Sequence, residues 1–194
     1  MIVAGVDDGY FPPSYKEVRG SRTVLAAVSF HGHQPMRAVL EPVTVDGKDG
    51  TEVCVRALER LGDMDYVMLD SVIVAGFNIV DPWEVNEALG VPVIVFFRHP
   101  LNLERIWAAL EKHFSDAKER YLVIKKAFTS SRPLPSPWGA KHVLPVGTDL
   151  VSAADVMRYY QVTSPIPLPI YAADAVASGV TRSGPLLRAL NQPS

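Results

Sequence analysis

Cysteine is almost absent from this sequence. Cys54 stands alone among 194 residues, which excludes an intrachain disulfide and any zinc centre built from several thiolates. It lies in the run Val53-Cys54-Val55-Arg56-Ala57-Leu58, where a cysteine acts as a small core residue. Positive charge is also short. Nineteen lysines and arginines face 21 aspartates and glutamates, for a net charge of −2. Proteins that clamp duplex nucleic acid through their own cations usually carry a basic excess, so any such grip here must be local or assisted by bound metal. Long apolar runs are missing too: Val91–Phe97 has seven residues, against the roughly 20 of a membrane-spanning helix. No glycine fingerprint follows a strand, which argues against a nicotinamide or ATP enzyme. The chain opens directly on a strand-like run with no leader pattern. These absences lead us to expect a soluble, cytoplasmic protein with no membrane partner.

What is present describes a globular chain. Hydrophobic residues make up 48% and charged residues 21%, and the length suits one domain spanning residues 1–194. Ile2–Val6 reads as a buried strand ending at Asp7-Asp8-Gly9. Thr23–Phe30 and Met36–Val45 are valine-rich and joined by His31-Gly32-His33-Gln34-Pro35, which fits a hairpin. Val53, Val55, Leu58 and Leu61 recur at helical spacing, with Asp49 and Glu52 placed as a cap and its reciprocal partner. Tyr66–Leu69 is a strand that ends at Asp70, and Asp81-Pro82-Trp83-Glu84 opens a capped helix. Val91–Phe97 is a further strand, followed by helices over Leu103–Phe114 and Ala117–Ala127. Ser130–Gly139, with three prolines, reads as a surface loop. His142–Val146 is a late strand, Ser152 caps a helix running to about Tyr160, Ser164–Pro169 is extended, and Ile170–Ala177 is a closing helix.

Three consecutive strands followed by strands joined through helical crossovers predict a mixed α/β sheet: an antiparallel meander plus parallel strands, with helices on both faces. This is the layout of the ribonuclease H-like folds. In it the first strand and the strand after the first helix lie side by side, and their carboxyl ends open into one crevice. Asp7 and Asp70 both sit at such ends. Carboxylates gathered there repel one another and call for a cation, and hard oxygen donors with open water positions suit Mg²⁺ or Mn²⁺. Either aspartate alone reads first as a turn former, so the pair on neighbouring strands is what points to a metal, and Asp81 is assigned to capping.

The runs Val3-Ala4-Gly5-Val6-Asp7-Asp8-Gly9, Val45-Asp46-Gly47-Lys48-Asp49-Gly50-Thr51-Glu52 and Met68-Leu69-Asp70-Ser71-Val72-Ile73-Val74-Ala75-Gly76-Phe77-Asn78 resemble the motifs of the endonuclease dU family, a relative of endonuclease V. The Pro92–Arg98 strand and the closing Ile166-Pro167 to Gly179 run are similar to it as well, so the likeness spans nearly the whole chain. The resemblance implies a ribonuclease H-like domain, Mg²⁺ or Mn²⁺, and cutting of DNA, damaged or single-stranded, at deaminated bases such as uracil or hypoxanthine. Carried over position by position, it implies Asp7, Asp49 and Asp70 as catalytic metal ligands and Arg98 as the basic residue closing the fifth strand. Thr148 or Asp149 takes the polar position near the last strand. In the loop after Asp70, Gly76, Phe77 and Asn78 are candidate substrate contacts: Phe77 either stacks on an extruded base or plugs the core, and Asn78 offers a donor and an acceptor to a base edge.

The chain departs from the family pattern in three places. Ser71 replaces the glycine that usually follows the fourth-strand aspartate, and Leu168 and Tyr171 stand where relatives carry an acid and an arginine. These departures keep open a second reading, a catalytically silent binding or interaction module of the same fold. A third is a hydrolase acting on a small phosphorylated metabolite.

Overall fold

The computed structural model describes residues 1–192. The first apolar run forms β1 (Ile2–Asp8), buried from Val3 to Asp7 on both faces, so its only stable place is the middle of a sheet. It pairs antiparallel with β2 (Arg22–His31), which pairs antiparallel with the edge strand β3 (Gln34–Thr44). On its other side β1 pairs parallel with β4 (Tyr66–Asp70), reached through the crossover helix α1 (Gly50–Leu61). A two-stranded excursion, β5 (Ile73–Val74) with β6 (Asn78–Ile79), and the helix α2 (Pro82–Leu89) lead to β7 (Val93–Phe97), parallel to β4. Helices α3 (Leu103–His113) and α4 (Ala117–Ser130), strands β8 (Arg132–Leu134) and β9 (Lys141–Val146), and helices α5 (Leu150–Tyr160), α6 (Leu168–Arg182) and α7 (Pro185–Leu190) complete the described chain. The main sheet has the order β3-β2-β1-β4-β7-β9-β8.

Side-chain alternation along the strands divides the core in two. Ala4, Val6, Leu25, Ala27, Val67 and Leu69 face α1 to α4, where Val53, Leu58, Leu110 and Ile124 meet them. Val3, Val28, Met68, Ile94 and Phe96 face α5 and α6, against Met157, Tyr160, Ile170 and Ala173. Helix α6 buries the small residues Ala173 and Ala177 and lies very close to β1. A Cβ on Gly5 would fall 2.1 Å from the Pro169 carbonyl carbon and 2.5 Å from the Ile170 nitrogen. Only glycine permits that approach. Among the described residues no helix is long and apolar enough to cross a membrane.

Several local expectations are corrected. Part of the proline-rich loop, Arg132–Leu134, is an edge strand paired with β9. Helix α5 is capped by Asp149, whose carboxylate accepts from the Val151 and Ser152 amides, and not by Ser152. The closing helix begins at Leu168, inside the stretch expected to be extended, because Pro169 fits a first helical turn. Asp49 flanks α1 but forms no side-chain cap bond, and Glu52 pairs with Arg56 instead of reaching back.

Candidate functional site

The parallel trio β1, β4 and β7 brings three charged side chains to one edge. In register Val6 is opposite Leu69, and Asp70 opposite Phe96. Asp7, Asp70 and Arg98 therefore leave the sheet at similar heights. Each stands an even number of residues past Val3, Met68 and Phe96, which face α6, so all three point to that side. One guanidinium nitrogen, Arg98 Nη2, lies 3.1 Å from Asp7 Oδ2, 2.6 Å from Asp70 Oδ2 and 3.8 Å from Asp174 Oδ2. Asp174 comes from α6 and was missed in the sequence. Its signal there is faint: a lone acid within Ala172-Ala173-Asp174-Ala175, six residues beyond Leu168, where relatives carry an acid.

The electrostatics are those of an undercompensated acidic cluster. Burial, reinforced by the charges of Asp70 and Asp8, pushes Asp7 up to about 9, although the Asp8 amide and Arg98 pull the other way. Burial likewise raises Asp8 to about 6 against the Ala75 amide, which donates to its Oδ2 at 2.9 Å. Asp70 is raised as well, because burial outweighs its contact with Arg98. Asp70 Oδ1 and Arg98 Nε are buried without a hydrogen-bond partner. Leaving such atoms unpaired is costly.

That orphaned oxygen and the all-oxygen donor set suit a hard divalent cation. Among the described residues no group of three acidic, histidine or cysteine side chains is already arranged to hold an ion. The space among the carboxylates is taken by Arg98 Nη2. The donors fit a metal in kind, and the arginine stands among them.

The other expected residues lie elsewhere or serve the fold. Asp49 accepts from Thr44 Oγ1 at 2.7 Å and from Asn78 Nδ2 at 2.5 Å, and is not among the partners of Arg98. Asn78 is 0% exposed, and its amide is fully used. Its oxygen accepts from Gly50 and Ile79, while its nitrogen donates to Thr44 and Asp49. In this structure no donor or acceptor of the Asn78 amide is left over for a base edge. Phe77 packs edge-on against Phe114 at 5.8 Å, in line with its plug reading. Gly76 has φ +87°, and a Cβ there would meet Asp46 Oδ1, which binds the Phe77 amide at 2.7 Å. Ser71 also sits at a positive φ, 70°, a conformation glycine adopts without strain.

Asp149 lies away from the carboxylate cluster. β9 runs antiparallel to β7, with Val146 opposite Val93 and His142 opposite Phe97. The end of β9 thus reaches the edge opposite the carboxylate cluster, and Thr148 and Asp149 go with it. Its beginning is at the cluster: Lys141 Nζ donates to the Arg98 carbonyl at 3.2 Å. Grooves in the surface lie away from the cluster as well, one between α1, α2 and α4 beside Lys48, Asp81 and Arg120, another between the β2–β3 hairpin and α6.

Comparison with known proteins agrees with this architecture. The family model described as Endonuclease dU matches residues 1–181. A UPF0215 protein of Thermococcus gammatolerans is 37% identical over 181 residues, covering 92% of this chain and 91% of its own. A crystal structure of a protein of unknown function from Archaeoglobus fulgidus superposes with a TM-score of 0.77 at 17% identity, covering 92% of this chain and 97% of that one. Endonuclease V of Ciona intestinalis, in complex with a 24mer DNA containing an inosine followed by a ribo-adenosine, gives a TM-score of 0.61 at 12% identity, covering 94% and 86%. The fold is thus ribonuclease H-like, in its endonuclease V form, and the chain belongs to the endonuclease dU family.

Proposed function

We propose that this protein is an Mg²⁺- or Mn²⁺-dependent endonuclease that cuts DNA at or near deaminated bases, uracil or hypoxanthine, in the repair of such damage. The observation that carries the reading is the meeting of Asp7 and Asp70 on adjacent parallel strands, with Arg98 beside them at the carboxyl edge of the sheet. Membership of the endonuclease dU family supports it, as does the likeness in fold to an endonuclease V solved on inosine-containing DNA.

Asp7 and Asp70 would hold the metal, with Asp174 completing the set from α6. Asp49, which the family resemblance adds, would join only by giving up its bonds to Thr44 and Asn78. The ion, when bound, lowers the pKa of a water and stabilises charge on a phosphoryl oxygen. Arg98 supplies positive charge toward the same phosphate. The half-buried floor of the site limits water around these charges and strengthens their interactions.

The test is nicking of uracil- and hypoxanthine-containing strands with Mn²⁺, comparing the wild type with Asp70→Asn. The expected outcome is metal-dependent nicking by the wild type and a loss of at least about 100-fold in the variant, the scale of removing a principal electrostatic element from a site. A wild type that nicks neither substrate with either metal overturns the reading. It would leave the silent binding module, which the occupation of the carboxylates by Arg98 already favours.

A further inference from the structure

Arg98 does more than border the cluster. Its Nη2 touches carboxylates from β1, β4 and α6 at once, and it does so poorly. The planar fork of arginine normally pairs two nitrogens with a carboxylate. Here Nη2 alone serves Asp7, Asp70 and Asp174, while Nε and Asp70 Oδ1 are both buried without partners. A guanidinium held in this way fills a charge requirement without completing the hydrogen bonding around it. The side chain is 33% exposed, so one side of it already faces solvent. Its backbone is anchored separately, through the Lys141 bond to the Arg98 carbonyl. Rotation about the side-chain torsions therefore breaks the ion pairs and leaves the sheet intact.

Mg²⁺ needs carboxylate oxygens at about 2.0–2.1 Å, and two cations cannot share the position now held by Nη2. We propose, resting on the metal-site reading above, that Arg98 and a divalent cation are alternative occupants of the Asp7–Asp70–Asp174 cluster: the arginine holds the carboxylates together until the ion loads, then swings to the solvent side. The displaced guanidinium is rooted at the end of β7 and remains beside the ion it has yielded to. It is then free to pair with a phosphate oxygen. Metal loading would in this way create the anion-binding arm of the site.

The test measures metal binding without any turnover. Free Mn²⁺ is followed by electron paramagnetic resonance as it is titrated into the wild type, Arg98→Gln, Arg98→Lys and Asp70→Asn, each first checked for a cooperative thermal transition. Removing the competing cation should tighten Mn²⁺ binding by about tenfold in Arg98→Gln, the equivalent of one charge-assisted hydrogen bond that no longer has to be displaced. Arg98→Lys, which keeps the charge, should stay within about threefold of the wild type. If Arg98→Gln does not fold without metal, its transition should return on adding Mn²⁺ at lower concentration than Asp70→Asn requires, and a failure to do so counts against the proposal. Equal or weaker Mn²⁺ binding by Arg98→Gln overturns it, even where Asp70→Asn still abolishes nicking. Absence of Mn²⁺ binding in the wild type removes this proposal and the metal-site reading together.

Discussion

Gly5→Ala and Gly179→Ala place the same methyl group at two ends of one argument about α6. At Gly5 the new Cβ would stand 2.1 Å from the Pro169 carbonyl carbon, 2.2 Å from its oxygen and 2.5 Å from the Ile170 nitrogen. All three are backbone atoms of the first turn of α6, so no side chain can rotate away. Restoring ordinary contact at about 3.5 Å means moving the helix off β1 by more than about 1 Å. Overpacking usually costs about 1–3 kcal/mol, and a rigid obstacle on both sides puts this case near the upper end. For a chain of this length about 3 kcal/mol lowers the melting temperature by roughly 6–12 °C. Asp174 lies one turn further along the same helix, so Mn²⁺ affinity should fall with it. Gly179 is exposed in the interior of α6, and a Cβ there meets nothing within 4 Å. Alanine at that position should stabilise by about 0.5–1 kcal/mol. Differential scanning calorimetry of both variants, with Mn²⁺ titrations, reads each outcome. A Gly5→Ala protein melting within about 2 °C of the wild type would refute the close packing of α6 on β1, and with it the placement of Asp174.

Two further predictions test the site's electrostatics and the loop beside it. In metal-free buffer, thermal stability should decline as pH rises from about 4 toward about 9. Asp7 and Asp8, raised from 3.8 to about 9 and about 6, keep protons in the folded state that the unfolded chain has already lost, so the stability they contribute is full at low pH and disappears through that window. Saturating Mn²⁺ should flatten the decline, and a metal-free stability that climbs between pH 5 and 8 would contradict the raised carboxylates. Asn78→Ala leaves the Gly50 and Ile79 amides, the Thr44 carbonyl and Asp49 short of a partner. At about 1–3 kcal/mol for an unsatisfied buried group, the loss should exceed about 3 kcal/mol in chemical denaturation. A variant of wild-type stability that had lost only substrate affinity would restore Asn78 to the role of a base contact.

Much of the scaffold was legible in the chain because its signals are local. Val3–Val6 and Val93–Phe97 are buried on both faces, and their unbroken apolar runs announce central strands before any partner is known. The pairing of β1 with β4 was expected from the ribonuclease H-like layout, in which the crossover from β3 through α1 carries the chain to the far side of β1. That adjacency was enough to bring Asp7 and Asp70 together on paper. The loop at residues 71–78 was harder. Asn78 looks like a free amide in sequence, and only the folded neighbours Gly50, Thr44 and Asp49 reveal that it is consumed.

The sequence by itself determined the longer strands and helices and the carboxyl edge where acids could gather, since periods of two and of 3.6 residues are written into neighbouring positions. Only the tertiary structure decided which further charges join Asp7 and Asp70 there. Asp149 was carried to the opposite end because β9 runs antiparallel to β7, a direction set by how α3, α4 and β8 pack and not by any residue near position 149. Asp174 arrived because Gly5 and the small residues of α6 let a helix more than 160 positions away settle against β1. Direction and docking depend on contacts between distant segments, and no local pattern encodes them.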